Sequence, residues 1–528
     1  MTRLSTRSRT LLPVVMILLV LSLLAGCGDE GTTSGTGTDD VATFAYTRTP
    51  VTNWDPAVEF AEGLITLCNV YETLLRYDPA DDTFTPILAT EYSSSEDGLT
   101  WTFKIREGVK FHDGTDLDAE AVKFSIDRTI ELGQGAAFIW DPVESIDVVD
   151  PYTVEFKLKY AAPIDLISAS AYGSFILSPT AAQSNPDDWF TQGNEAGTGP
   201  YMLQSYQPGE QVVLTQFPEY WGGWEGEHYE KAVIRAVSEA ATKRQLVTKG
   251  DVDITMELPA EDLEALKSDP NVEVLAAPSF QNLFLMMNTQ VEPMDNVLVR
   301  QAMSYAFPYD DIIDFALGGL ATQGRGPVPI GMWGHGDDLF QYTTDMAKAK
   351  ELMAEAGLEG QEFEITYVYD PGDETQRKCA ELWKANLSQI GIDLKIQPGP
   401  WEAIWEKAKS TPPAEAQGIF SLYWWPDVTN PYSFLYAFHT EDPPVFNLAY
   451  WYNEQYDKMI DDGNVMAGVD REKASEMFIE AQVMLIEQAP AIFAFDQQYG
   501  YVIHKGFGGF ENNPSYAHVV FFYDCYPQ

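Results

Sequence analysis

Residues 98–128 constrain the fold more than any other stretch of this 528-residue chain. Trp101, Phe103 and Ile105 alternate with Thr100, Thr102 and Lys104, the two-residue period of a strand with one buried face. Gly108 and the His112-Asp113-Gly114 cluster break that period and predict a turn. Asp118 then stands where a helix N-cap belongs, and Val122 and Ile126 fall on one face of the helix that follows. A strand, a turn and a helix this close together form a packed α/β unit. The chain is too long for one hydrophobic core, so two or more lobes are expected.

The start of the chain says where it works. Arg3, Arg7 and Arg9 precede an almost unbroken apolar run over 11–25. That run is shorter than the about 20 residues a spanning helix needs, so 1–26 reads as a cleaved signal peptide. It ends Leu23-Leu24-Ala25-Gly26-Cys27. Small residues followed by cysteine resemble a bacterial lipobox, which makes Cys27 a lipidated N-terminus. The alternative is an ordinary secretory signal beside an incidental cysteine. Two acyl chains suffice for stable anchoring. Residues 27–40 have nothing apolar to bury and read as a flexible tether. Localisation at the extracytoplasmic face of a bacterial cell membrane follows.

Eighty acidic residues against 32 lysines and arginines give a formal net charge of −48. Such a surface repels nucleic acid and anionic lipid headgroups, which excludes a nucleic-acid function. The acids are spread along the whole chain, as adaptation to salt would have it. Cys68, Cys379 and Cys525 can form at most one bridge, and spacing does not choose the pair. No Cys/His spacing fits a metal site. Gly-x-Ser-x-Gly, His-Glu-x-x-His and Ser-x-x-Lys with its companions are all missing, so no catalytic residue is assigned and no cofactor is expected.

The wording of 98–128, taken residue by residue, resembles the signature of the family 5 extracytoplasmic solute-binding proteins, the dipeptide-, oligopeptide- and nickel-binding components of bacterial ABC importers. Other segments resemble the family in order: Asn53-Trp54-Asp55-Pro56-Ala57, Tyr71-Glu72-Thr73-Leu74-Leu75, Gly197-Thr198-Gly199-Pro200-Tyr201, Phe217-Pro218-Glu219-Tyr220-Trp221-Gly222, and a helix over 295–306. The glycines of 197–199 lack the Lys-Ser/Thr of a phosphate loop and read as a turn. Further on, Asp345 caps a helix, 364–369 is a strand, 373–390 a helix and 394–396 a strand, a β-α-β order that predicts a partly parallel sheet. The resemblance implies a two-lobed α/β periplasmic-binding-protein type II fold. The first lobe would comprise 41–280 and 490–528, with an inserted subdomain at about 75–184. The second would comprise 281–489, and two crossover segments would join them. It also implies a likeness in action: a monomeric clamp that closes on a small solute and presents it to ABC permease subunits, with no covalent chemistry. A solute sensor with the same binding chemistry is the other reading of the same fold.

The sharpest ligand candidate is the segment Tyr423-Trp424-Trp425-Pro426-Asp427 with Pro431 and Phe434-Leu435 beyond it. In peptide-binding members the similar segment carries an aspartate that pairs with the ligand's α-amino group, and Asp427 occupies that position. Read on its own, Asp427 is equally a turn residue beside Pro426. Trp424 matches the family tryptophan, and Trp425 adds an aromatic face suited to side chains, sugars or cations. Tyr423 replaces the family glycine that lets peptide backbone approach. Dipeptide binders also carry an arginine near 367–373, where this chain has none; Arg325 and Arg377 are the candidates to replace it. A peptide or related amine-bearing solute is therefore expected, with an oligosaccharide or a nickel chelate as alternatives. His112 is expected to be structural, and Trp401 and Trp405, four apart on a helix, to pack in the core.

Overall fold

The strand that the alternation predicts runs Thr100–Ile105, with Trp101, Phe103 and Ile105 buried. The helix is Ala119–Leu132, and Asp118 Oδ1 caps it by accepting the Ala121 N–H at 2.9 Å. Val122 and Ile126 are buried on its inner face. These elements belong to a computed structural model that describes residues 40–186 and 188–528. The expected signal peptide, Cys27 and all but the last residue of the expected tether lie outside the described residues.

Thr100–Ile105 is an inner strand of a four-stranded antiparallel sheet, ordered Ala89–Ser94, Thr100–Ile105, Thr153–Leu158, Val143–Asp150. The helix Ala119–Leu132 packs on its last two strands. The turn before that helix is fixed from outside. His112 places Nδ1 2.7 Å from Glu195 and Nε2 2.9 Å from the Gly199 carbonyl, both acceptors, and burial plus the Glu195 charge make it a structural histidine. Gly197 serves a close approach as well as a turn: a Cβ there would meet the Val70 carbonyl oxygen at 1.9 Å.

An eleven-stranded mixed sheet organises the rest. From one edge it runs Ile392–Pro398, Phe363–Tyr369, Ile419–Trp424, Val272–Met287, Ala491–His504, Ile254–Met256, Val41–Tyr46, Lys231–Ala236, Gln211–Gln216 and Tyr201–Gln207. The short strand Ala321–Thr322 also pairs with Ala491–His504. Phe363–Tyr369 and Ile392–Pro398 lie parallel, joined by the helix Glu374–Leu387 with Asp373 as its cap, which is the β-α-β unit expected.

Two long antiparallel strands, Val272–Met287 and Ala491–His504, run the length of the molecule between its halves. Residues 272–278 pair with 498–504, and residues 282–286 pair with 491–496; the register breaks between them. Ser279 sits in the break and donates its hydroxyl to the Gln497 carbonyl at 2.6 Å. On one side of the break a hydrophobic core gathers residues from 42–277 and 499–525. On the other side, two cores draw on residues from 280–495. The molecule is thus two lobes on a shared sheet, connected by a pair of strands whose ladder is interrupted where they cross. Cys68, Cys379 and Cys525 are all buried and free. No helix among the described residues is long and apolar enough to cross a membrane.

Candidate functional site

A cavity of about 810 Å³ lies between the lobes. The interrupted strands supply Gln281 and Gln497 to its lining. The first lobe contributes Arg48, Glu62, Tyr172, Glu257, Tyr499 and His518; the second contributes Asp370, Asp373, Glu374, Gln376, Trp401, Tyr423 and Trp425. The second-lobe residues converge because three neighbouring elements end there. Phe363–Tyr369 and Ile419–Trp424 stop at the cavity, and the helix Glu374–Leu387 starts at it.

The segment singled out in the sequence is also where the lobes touch. Ile419–Trp424 packs in the second lobe, whereas Val428 joins the core of the first. Between them the Ser170 hydroxyl donates to the Asp427 carbonyl at 2.6 Å. Trp425 is 41% exposed and lines the cavity together with Tyr172 of the first lobe. Tyr423 lines the cavity too. Trp424 does not: its N–H donates to the Ser433 carbonyl at 2.9 Å and its ring stacks on Phe284 within the second lobe.

A smaller recess continues from the cavity and is lined by Trp425 and Pro426; Asp427 is the next residue in the chain and itself lines neither space. It is half-buried and lies close enough to Tyr172 for its charge to raise the Tyr172 pKa. Among the described residues nothing donates a hydrogen bond to its carboxylate, and burial pushes that carboxyl up to about 7. An aspartate used as a turn residue would accept backbone N–H groups; this one accepts none.

Neither candidate replacement for the missing arginine reaches the cavity. Arg377 is spent on Glu374 and Glu381 along its own helix, and Arg325 donates to the Leu339 carbonyl at 3.0 Å. The cation on the lining is Arg48, bonded to Glu62 and 3.8 Å from Glu257. Sequence reasoning missed Arg48 because nothing local marks it. Trp401 was missed for another reason. It stacks on Trp405 at 5.3 Å and edges Phe420 as a core residue would, yet its other side lines the cavity. No group of three or more His, Cys, Asp or Glu side chains among the described residues could hold a metal ion.

Two lobes, two crossover strands and an aromatic, polar cavity between them define a solute-binding clamp. The chain belongs to the bacterial extracellular solute-binding proteins, family 5, whose middle region it matches over residues 83–444. It is 29% identical over 461 residues to the probable D,D-dipeptide-binding periplasmic protein of Escherichia coli (strain K12), covering 85% of this chain and 87% of that one. Its fold is that of the Helicobacter pylori periplasmic binding protein solved in complex with the peptide STSA, with a TM-score of 0.76, 24% identity, and 92% and 98% of the two chains covered. It is likewise that of the Brucella suis protein solved with Fe(III)-EDTA, with a TM-score of 0.83, 21% identity, and 93% and 100% covered. This is the type II periplasmic-binding-protein fold. The protein is the solute-binding component of an ABC importer, acting outside the cytoplasm, and not an enzyme.

Proposed function

We propose that this clamp captures a peptide or related amine-bearing solute between its lobes, with Asp427 holding the amine, and hands it to a membrane permease. The observation that carries the reading is the Asp427 carboxylate: partly buried, without a donor among the described residues, and next in the chain to Trp425 and Pro426, which line the interlobe recess. A carboxylate in that condition is costly until a cation reaches it, and an ammonium group supplies both the charge and the N–H donors. Trp425 and Tyr423 form the neighbouring wall, and Trp424 holds that wall from behind. The E. coli relative is described as binding a D,D-dipeptide, which is consistent with the same ligand class. In this reading the first lobe comprises 41–280 and 490–528, with 75–184 inserted, and the second 281–489. Diacylation of Cys27 keeps the monomeric body at the outer face of the membrane; a Cys27→Ser chain should be released from it.

The test is mass spectrometry of whatever co-purifies with the folded protein and leaves it on denaturation. An amine-bearing solute is expected. It should raise the unfolding free energy by about 2.7 kcal/mol at 100 times Kd, and Asp427→Ala should abolish that gain. A neutral glycan whose binding ignores Asp427→Ala would overturn the reading.

A further inference from the structure

The charge on the cavity walls is lopsided. Five lining carboxylates, on Glu62, Glu257, Asp370, Asp373 and Glu374, face one guanidinium, that of Arg48. Arg48 is already held by Glu62, Glu257 and the Tyr46 hydroxyl, so little of it is left for a ligand anion. The lining histidine adds no positive charge, since burial lowers the His518 pKa to about 4. Burial and the nearby Glu257 raise the pKa of Glu62, and burial with the nearby Asp370 raises that of Asp373, whereas Glu257 is held low against its burial by nearby positive charge that includes Arg48 and Lys243.

Two buried acceptors on opposite walls have no donor. Gln376 is 3% exposed, lines the cavity and leaves its Oε1 unpaired. Glu257 leaves Oε2 unpaired, and the chain holds that residue at φ 57°, in the left-handed region that side chains avoid. Unpaired buried acceptors call for N–H donors, and carboxylates that repel one another call for positive charge. Trp401, Tyr423, Trp425 and Tyr499 add aromatic faces along the same space, over which a cation is favoured.

We propose that the solute carries a second cation besides the amine at Asp427, a guanidinium or ammonium side chain lodged between Gln376 and Asp370 on one wall and Glu257 on the other; the preferred ligand is a short basic peptide. This rests on the reading of Asp427 as the amine anchor. It also accounts for the missing carboxylate-binding arginine: a solute selected by its positive charge is not gripped by its carboxylate.

The test compares di- and tripeptides ending in arginine with the same peptides ending in citrulline, which keeps the shape and loses the charge. Titration calorimetry of the purified protein at low and high salt reads the difference. Arginine peptides are expected to bind at least tenfold tighter than citrulline peptides, with a preference that shrinks as salt rises. Glu257→Gln and Asp370→Asn should each shrink it further by weakening arginine peptides more than citrulline peptides. Equal affinity for the two series, each lost in Asp427→Ala, would overturn the second-cation proposal and leave the amine anchor standing. Failure of both series to bind would overturn both. The salt dependence of the unaltered protein decides the matter even if a variant fails to fold.

Discussion

At the scale of the residue, the proposed amine anchor Asp427 would couple function to stability. An aspartate in an unfolded chain titrates near 4, whereas Asp427 in the fold titrates at about 7. Below pH 4 both states hold the proton and the residue costs nothing. As pH rises from there, the unfolded chain releases its proton first, so the fold loses stability. Above pH 7 the whole cost is present, on the order of a few kcal/mol. Asp427→Asn should therefore make the solute-free protein more stable at pH 8, with little change at pH 4, when both are measured by chemical denaturation. The same variant should bind amine ligands at least tenfold more weakly at pH 8. No gain in stability would mean that the carboxylate is already compensated. Asp427 could be singled out beforehand because the segment Trp424-Trp425-Pro426-Asp427 resembles the family's, a likeness carried by neighbours in the chain. Arg48, Glu257 and Gln376 could not. Arg48 and Glu257 come from distant segments that meet in the first lobe, and Gln376 joins them only across the cavity, so no spacing in the chain announces them. Trp401 and Trp405 illustrate a subtler limit: a four-residue interval puts two rings on one helix face but does not say whether that face meets core or cavity.

At the scale of the element, what could be read from sequence was what local forces decide. The alternation in Thr100–Ile105 and the caps at Asp118 and Asp345 need only near neighbours, and each stands where it was expected; Asp373, read as the first helical residue, is the cap of its helix. The length of Val272–Met287 was not foreseen. Its apolar stretch begins near Phe280, while the earlier half earns its place by pairing with the far end of Ala491–His504. The helix Arg471–Gln488 carries a further interlobe contact at its first residue. Arg471 reaches Asp165 at 2.6 Å and Asp82 at 3.0 Å in the first lobe, over the rings of Phe84 and Trp333. Asp165 is buried, and that burial raises its pKa even against the Arg471 charge. Removing Arg471 would strand Asp165 and cost about 3–5 kcal/mol of the lobe-to-lobe contact if the carboxylate stayed charged. Arg471→Ala is therefore expected to speed solute release by tenfold or more with little change in the association rate, as followed by stopped-flow tryptophan fluorescence. An unchanged release rate would show that this ion pair does not hold the lobes together.

At the scale of the whole molecule, a shared sheet with an interrupted pair of strands lets two well-packed bodies move as units, because the break at 278–282 is where ladder bonds are missing. A solute then favours the closed arrangement only to the extent that it binds that arrangement better than the open one. A solute in the cavity would meet both lobes and Gln281 and Gln497 between them, which would satisfy that condition. The overall acidity of −48 works in the same direction, since it raises the local concentration of cationic solutes around the molecule. The most direct test is a crystal structure of the protein with its co-purified solute. The account predicts the solute enclosed between the lobes, with an amine nitrogen within about 3 Å of the Asp427 carboxylate. Solute bound elsewhere, or enclosed with Asp427 facing no cation, would contradict it.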